Sequence, residues 1–301
     1  FFRGRLQAMQ FDIAGYTNIT SEHLNIHGSF ENYLNCKLML FKQTKKDGFC
    51  ILNHDDEYFE TVKSACNGQV LTYGKGEDND LRIVDFKLYP NHTEINFQYK
   101  DRAFFVDSPL MGDFNVYNLA CGLLCTLALG FNLDKILNNI KSIKISGRLE
   151  LLNTNTPYYV MVDYAHTPDG LENILNTIRG FVKGKIITVF GCGGDRDKVK
   201  RPQMGEIACK LSDIAIITSD NPRSEEPMAI IEDIKNGLAY NNYIVEENRA
   251  KAIEKAIDMA KQNDVILIAG KGHETYQILK DKTIHFDERE VIVDILNKKE
   301  K

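Results

Sequence analysis

The sequence predicts an α/β protein of two domains, the second built on a doubly wound parallel sheet. Three observations predict it. The chain has 301 residues, about twice a common domain length of ~150 residues. Residues 69–106 alternate apolar and polar positions in four successive runs separated by turn residues. Beyond residue 150, short and nearly continuous apolar runs alternate with helical patterns, the signature of parallel strands covered on both faces.

Taken in order, FDIAGYT (11–17) reads as a short buried strand, and 29–41 as a helix with Ser29 at its N-cap. GFCILN (48–53) is a strand and 56–65 a helix. QVLTYG, LRIVDFKLY, TEINFQYK and AFFVDS then make an antiparallel meander. Residues 112–130 and 133–142 are two helices, and the domain boundary falls near Ser146. After it come PYYVMVDYA, a helix at 168–180, KIITVFG, a helix near 201–211, DIAIITS and a helix at 227–237. YIVEE, a helix at 248–262 and DVILIAG follow, and KTIHF with a helix at 287–298 closes the sheet.

Composition narrows the function classes. Hydrophobic residues make up 43% and charged residues 26%, which excludes disorder. Net charge is −5, so no broad positive field exists for nucleic acid or an anionic membrane. No apolar run reaches the ~18 residues of a membrane span. The seven cysteines are an odd number with no CxxC pair, consistent with reduced thiols in a cytoplasmic protein. Cys121 and Cys125 read as core thiols.

Ligands of such sheets sit beyond the carboxyl ends of the strands, and four polar loops fall there. DYAHTPDG (163–170) follows the first strand, GCGGDRDKVKRP (191–202) the second, SDNPRSEEP (219–227) the third and GKGHETYQ (270–277) a later one. The glycines of 191–194 suit either backbone approach to an anion or a solvated charged turn. Arg223 offers a planar fork for a carboxylate, or lies in an ordinary surface turn. Lys271, His273 and Glu274 lie between tight glycines, where a carboxylate suits a substrate amine. His23 and His27 are spaced for one helix face but lack the glutamate of a zinc-protease motif.

Together these segments, with TNITSEHLNIHGSFENYLNCKLMLF (17–41), GDFNVYNLACGL (112–123), SGRLE (146–150) and FDEREV (286–291), resemble the Mur ligase family. The resemblance is strongest to members that add the third residue of the peptidoglycan stem peptide. It implies a central ATPase-type α/β domain over 1–145 and a complete Rossmann-like C-terminal domain over 146–301. It further implies ATP-dependent amide-bond formation. The D-Glu γ-carboxylate of UDP-N-acetylmuramoyl-L-alanyl-D-glutamate is phosphorylated, and the amine of meso-diaminopimelate attacks the acyl phosphate.

The family's residues carry over by position. Lys37 matches the lysine that is carbamylated and helps hold Mg²⁺, and His23 matches the histidine ligand; His27 keeps its structural reading. Asn115 and Asn118 match a segment near the nucleotide, and Arg148, Asp163, Tyr164 and His166 match the C-terminal contacts to ATP. Lys37, Arg148 and His166 are the expected catalytic groups. Arg196, Asp220, Asn221, Arg223, Gly270 and Glu274 match the amino-acid pocket, in which DNPR selects diaminopimelate over lysine. Arg5 matches a contact to the nucleotide-linked peptide. A cytoplasmic monomer is the implied state.

Two family features are absent from this sequence. No G-x-x-x-x-G-K-S/T phosphate loop occurs, and only FFRG precedes Arg5, where an EVSSH segment belongs. The expectation is an N-terminally truncated ligase with an incomplete central domain and no turnover by itself. The alternatives are a non-catalytic binding remnant or a sibling ligase, either the L-lysine-adding form or folylpolyglutamate synthetase.

Overall fold

The computed structural model describes residue 6, residues 8–20 and residues 27–299. The chain divides into two compact units between Ile143 and Lys144. Each has its own sheet and its own core.

The first unit is a six-stranded sheet in simple sequence order. Its strands are β1 (Phe11–Tyr16), β2 (Thr44–Asn53), β3 (Gln69–Gly74), β4 (Leu81–Leu88), β5 (Thr93–Tyr99) and β6 (Arg102–Ser108). Helix α1 (Phe30–Lys42) joins β1 to β2, α2 (Phe59–Ser64) joins β2 to β3, and α3 (Asp113–Ala128) and α4 (Leu133–Ile140) follow β6. Ser29 caps α1 by accepting the Asn32 N–H. Apolar side chains of α3, among them Val116, Leu123 and Leu124, pack with Ile51, Ile83 and Phe97 of the sheet. A second cluster joins Tyr33, Leu38 and Phe41 of α1 to Ala14, Cys50 and Leu52.

One expectation is corrected here. QVLTYG is not part of the meander, because β3 pairs parallel with both β2 and β4. Only β4, β5 and β6 are antiparallel. An alternating apolar pattern reports that a strand has two unlike faces, not the direction of its neighbours. Of the two helix thiols, Cys121 is buried and Cys125 is partly so.

The second unit is a sheet of order β11-β10-β9-β12-β8-β7. Its strands are β7 (Glu150–Leu152), β8 (Tyr159–Asp163), β9 (Ile186–Phe190), β10 (Ile214–Ile217), β11 (Tyr243–Val245) and β12 (Val265–Ala269). All pairs are parallel except β7 with β8. Helices α5 (Pro168–Arg179), α6 (Lys200–Leu211), α7 (Pro227–Lys235), α8 (Arg249–Met259) and α9 (Glu288–Lys299) are the crossovers and the closing helix. Three helix starts are legible: Thr167 accepts the Gly170 N–H before Pro168, Pro227 opens α7, and Asn248 accepts the Lys251 N–H. Residues of α8 and α9 (Ala252, Ile253, Ile292) pack on Val160, Val189 and Ile268. β8, β9, β10 and β12 are buried along nearly their whole length.

A second correction concerns KTIHF. Thr283–His285 pairs only with Tyr276–Ile278, as a separate hairpin (β13 and β14), so it does not extend the main sheet. Among the described residues no helix is long and apolar enough to cross a membrane.

Candidate functional site

The loops that leave β8, β9, β10 and β12 of the second unit meet at the carboxyl rim of the sheet. The β9 loop lies directly on the β10 loop. A Cβ added at Gly191 would stand 2.2 Å from the Thr218 carbonyl oxygen, and one at Gly194 would stand 1.9 Å from that of Pro222. The Gly194 N–H donates to the Asn221 carbonyl at 2.9 Å. These glycines are therefore required for backbone-to-backbone contact.

Arg223 sits in the left-handed region at φ 53°. Its Nη1 donates to the Gly194 carbonyl at 2.8 Å and to that of Asn221 at 3.4 Å. Its Nε and Nη2 donate to no protein group among the described residues, so the guanidinium is anchored on one side and open on the other. Arg196 is exposed, with Nη1 on the Asp195 carbonyl at 3.0 Å.

Arg201 fixes this pair of loops from beneath. It is fully buried and donates to both oxygens of Glu225 at 2.8 and 2.9 Å, to Asp233 at 2.7 Å and to the Gly193 carbonyl at 3.3 Å. The Arg201 guanidinium and the Asp195 N–H hold the Glu225 carboxyl down at about 2. Ser224 closes the joint by donating its hydroxyl to Asp195 at 2.5 Å.

Asn221, Lys271 and Glu274 form a closed triangle. Asn221 Oδ1 accepts from Lys271 Nζ at 3.0 Å and from the Ile278 N–H at 2.9 Å, while its Nδ2 donates to Glu274 Oε2 at 2.9 Å. Lys271 Nζ also reaches Glu274 Oε2 at 3.3 Å. Gly270 lies at φ 122°, and a Cβ there would press to 2.7 Å from Asp220 Oδ2. Asp220 is buried, with Oδ1 accepting the Asn221 N–H at 2.7 Å.

A second group lies on the same rim. The Arg148 guanidinium stands 5.1 Å from the Tyr164 ring centre, with His166 and His273 at 4.6 and 5.1 Å from that ring. The His166 ring donates from Nδ1 to the Tyr164 carbonyl at 2.8 Å. Lys200 Nζ donates to the His166 carbonyl at 2.6 Å. Burial raises the Tyr164 phenol above its ordinary range. Asp163 stands apart from these. It is 3% exposed, and its two oxygens accept the N–H groups of Leu149 and Ala165, each at 2.6 Å. Asp163 thus fastens the SGRLE turn to β8. Burial nonetheless holds its carboxyl above the ordinary range.

In the first unit, Lys37 is exposed on α1, its Nζ 5.3 Å from the Tyr33 ring centre. Asn115 is buried and donates to the Met111 carbonyl at 2.7 Å, and Asn118 donates to Asn115 Oδ1 at 3.2 Å. Arg5 and His23 lie outside the described residues. Among the described residues no three His, Cys, Asp or Glu side chains are grouped to hold a metal.

Sequence reasoning assigned no role to Arg201, Arg249 or Glu288 and left Lys271 open between a site and a turn. Their signal was weak: a charged residue in a helix start or tight loop looks solvent-facing, and only the fold shows it buried.

Comparison with known proteins gives a consistent result. The Mur ligase middle-domain model matches residues 2–126, and the Mur ligase glutamate-ligase-domain model matches residues 147–272. A curated relative from Clostridium perfringens, named UDP-N-acetylmuramoyl-L-alanyl-D-glutamate–2,6-diaminopimelate ligase, is 48% identical over 98% of this chain and 62% of its own length. A solved structure titled with the same enzyme name is 32% identical, with TM-score 0.69, over 99% of this chain and 63% of that one. A MurF ligase from Thermotoga maritima, solved with ADP, shares the fold at 20% identity and TM-score 0.69, over 97% of this chain and 62% of that one. The chain thus spans about three-fifths of the length of the relatives it matches.

Proposed function

The chain belongs to the Mur ligase family, and from that premise we propose that it carries the amino-acid-binding part of a ligase that adds meso-diaminopimelate to UDP-N-acetylmuramoyl-L-alanyl-D-glutamate. The observation that supports this most directly is the environment of Asn221. Its carbonyl accepts from the half-open guanidinium of Arg223, and its side chain donates to the Glu274 carboxylate. A cation and an anion placed about one residue suit a carboxylate and an ammonium carried together, as in an amino-acid head group. A diamino dicarboxylate has two such heads. One docks here while the amine of the other remains available to react. Lysine, held with its α-amine free for reaction, would present no carboxylate to Arg223, and a half-buried fork left unpaired discriminates against it.

In the reaction we infer, ATP transfers its γ-phosphoryl group to the D-Glu γ-carboxylate. The diaminopimelate amine attacks the acyl phosphate, the amide C–N bond forms, the amine sheds a proton and inorganic phosphate leaves. Charge stabilisation and positioning dominate such a transfer. Arg148, Tyr164 and His166 form a cationic and aromatic face suited to a nucleotide. For Asn115 and Asn118 of the first unit we likewise infer a contact to ATP. ATP is the co-substrate. Mg²⁺ bound by His23 and a carbamylated Lys37 would supply charge neutralisation, and the exposure of the Lys37 amine leaves it open to CO₂. Action as a cytoplasmic monomer, without nucleic-acid or membrane partners, completes the reading.

Isothermal titration of the purified chain tests the amino-acid pocket. Binding of meso-diaminopimelate with no detectable binding of L-lysine is the expected result; equal affinity for both amines would refute the reading. ADP release by the complete enzyme, with the dipeptide nucleotide and each amine in turn, tests the reaction.

A further inference from the structure

We propose that Lys271 is a positioning residue of the amino-acid pocket, acting through Glu274 and Asn221. The inference rests on the reading of that pocket given above and adds to it a residue that does not itself touch substrate. Lys271 is 0% exposed. A lysine taken wholly out of water is costly unless it is paired and hydrogen-bonded. Its ammonium has two oxygen partners, Asn221 Oδ1 at 3.0 Å and Glu274 Oε2 at 3.3 Å. It also lies 5.8 Å from the Tyr276 ring centre. The left-handed glycines on either side, Gly270 at φ 122° and Gly272 at φ 55°, turn the loop so that this side chain points inward.

The consequence falls on the two neighbours. Asn221 Oδ1 accepts two hydrogen bonds, from Lys271 and from the Ile278 N–H. A flipped amide would point NH₂ at an ammonium and at an N–H, so the amide has one orientation. Its Nδ2 is thereby directed at Glu274 Oε2. Glu274 Oε2 then receives two donors, while Oε1 receives none among the described residues. Lys271 holds one carboxylate oxygen so that the other is presented in a fixed direction to an incoming ammonium. It also balances the carboxylate's charge before the ligand arrives, which lowers the cost of keeping that acid in the wall of the site.

The test is a double-mutant cycle read by calorimetric titration of meso-diaminopimelate into the full chain. Lys271→Met, Glu274→Gln and the double variant are compared with the parent protein, and thermal unfolding of each is recorded. The expected result is at least tenfold weaker binding for Lys271→Met, with less than twofold further loss when Lys271→Met is added to Glu274→Gln. A merely structural lysine gives additive losses instead, and additivity overturns the proposal. So does binding by Lys271→Met within twofold of the parent. If Lys271→Met does not fold, Lys271→Gln takes its place in the cycle under the same criteria. Failure of the parent chain to bind diaminopimelate is a separate outcome: it refutes the reading of the pocket, and the role of Lys271 with it.

Discussion

Arg249 and Glu288 form an ion pair buried on both sides, with Arg249 Nη2 2.6 Å from Glu288 Oε1. The same guanidinium donates to the Ala269 carbonyl at 2.8 Å and the Ser219 carbonyl at 3.4 Å, and stands 3.9 Å from Asp220. Ala269 ends β12 and Ser219 lies two residues past β10, on the segments that lead into the GKGHE and DNPR loops. One buried cation therefore sutures the two loops that follow β10 and β12. Arg249→Met should cost roughly 3–5 kcal/mol, because it leaves the Glu288 carboxylate buried without its partner. Arg249→Met with Glu288→Leu should recover much of that loss. Urea unfolding of the three proteins checks this, and a double variant no more stable than Arg249→Met would contradict it.

Glu225 makes an acid-labile contribution. The Arg201 guanidinium holds its carboxyl at about 2, below its ordinary value of 4.5, so the paired form favours the folded state at neutral pH. That stability is fully present above the unfolded value and is lost as pH falls through the folded one. Its side chain is 17% exposed, so solvent screening reduces the effect to roughly 1–2 kcal/mol. Stability measured between pH 6 and pH 2 should fall less steeply in Glu225→Gln than in the parent.

Arg223 combines an unfavourable backbone with a specific side chain. At φ 53° a residue with a Cβ bears a steric cost that glycine does not. Arg223→Gly should therefore be more stable than Arg223→Ala by roughly 1 kcal/mol. Both should lose the preference for diaminopimelate over lysine, by roughly 2–4 kcal/mol where the ion pair is desolvated. Competition titration with the two amines measures the preference, and an unchanged ratio would show that another residue reads the second carboxylate.

Gly194→Ala should damage binding without removing any polar group of the proposed site. Its Cβ would fall 1.9 Å from the Pro222 carbonyl, and backbone must move to relieve it. We expect at least tenfold weaker diaminopimelate binding and roughly 1–3 kcal/mol of destabilisation. Gly122→Ala is the control, since nothing lies within 4 Å of a Cβ there and φ is not positive. It should bind as the parent does.

Much of the second unit was legible because β8, β9, β10 and β12 are continuous apolar runs, and the helices after β8 and β10 open on a Thr cap with Pro and on Pro, respectively. Three-residue strands such as Glu150–Leu152 and Thr283–His285 carry too few positions for a pattern, and so their pairing was missed or misplaced. In the first unit, periodicity gave the existence of β3 but not its direction, which depends on the crossover through α2. In the candidate site, residue type marked Arg223, Asn221 and Glu274, which the structure links through Asn221. Type could not separate them from Asp163, Arg201, Arg249 and Lys271. In sequence Asp163 reads as an ATP contact, Lys271 as either a site residue or a turn, and Arg201 and Arg249 carry no role, yet burial and their hydrogen bonds make all four the framework.

The close seating of the 191–194 glycines on residues 218–222 also bears on how such a pocket can diversify. Neither loop can change its path alone, because each forms the mould for the other. Adaptation to a different amino acid is thereby channelled into exchanges of outward-reaching side chains, Arg223 foremost. A relative with a different ligand would keep the glycines and rewrite a single letter of the turn.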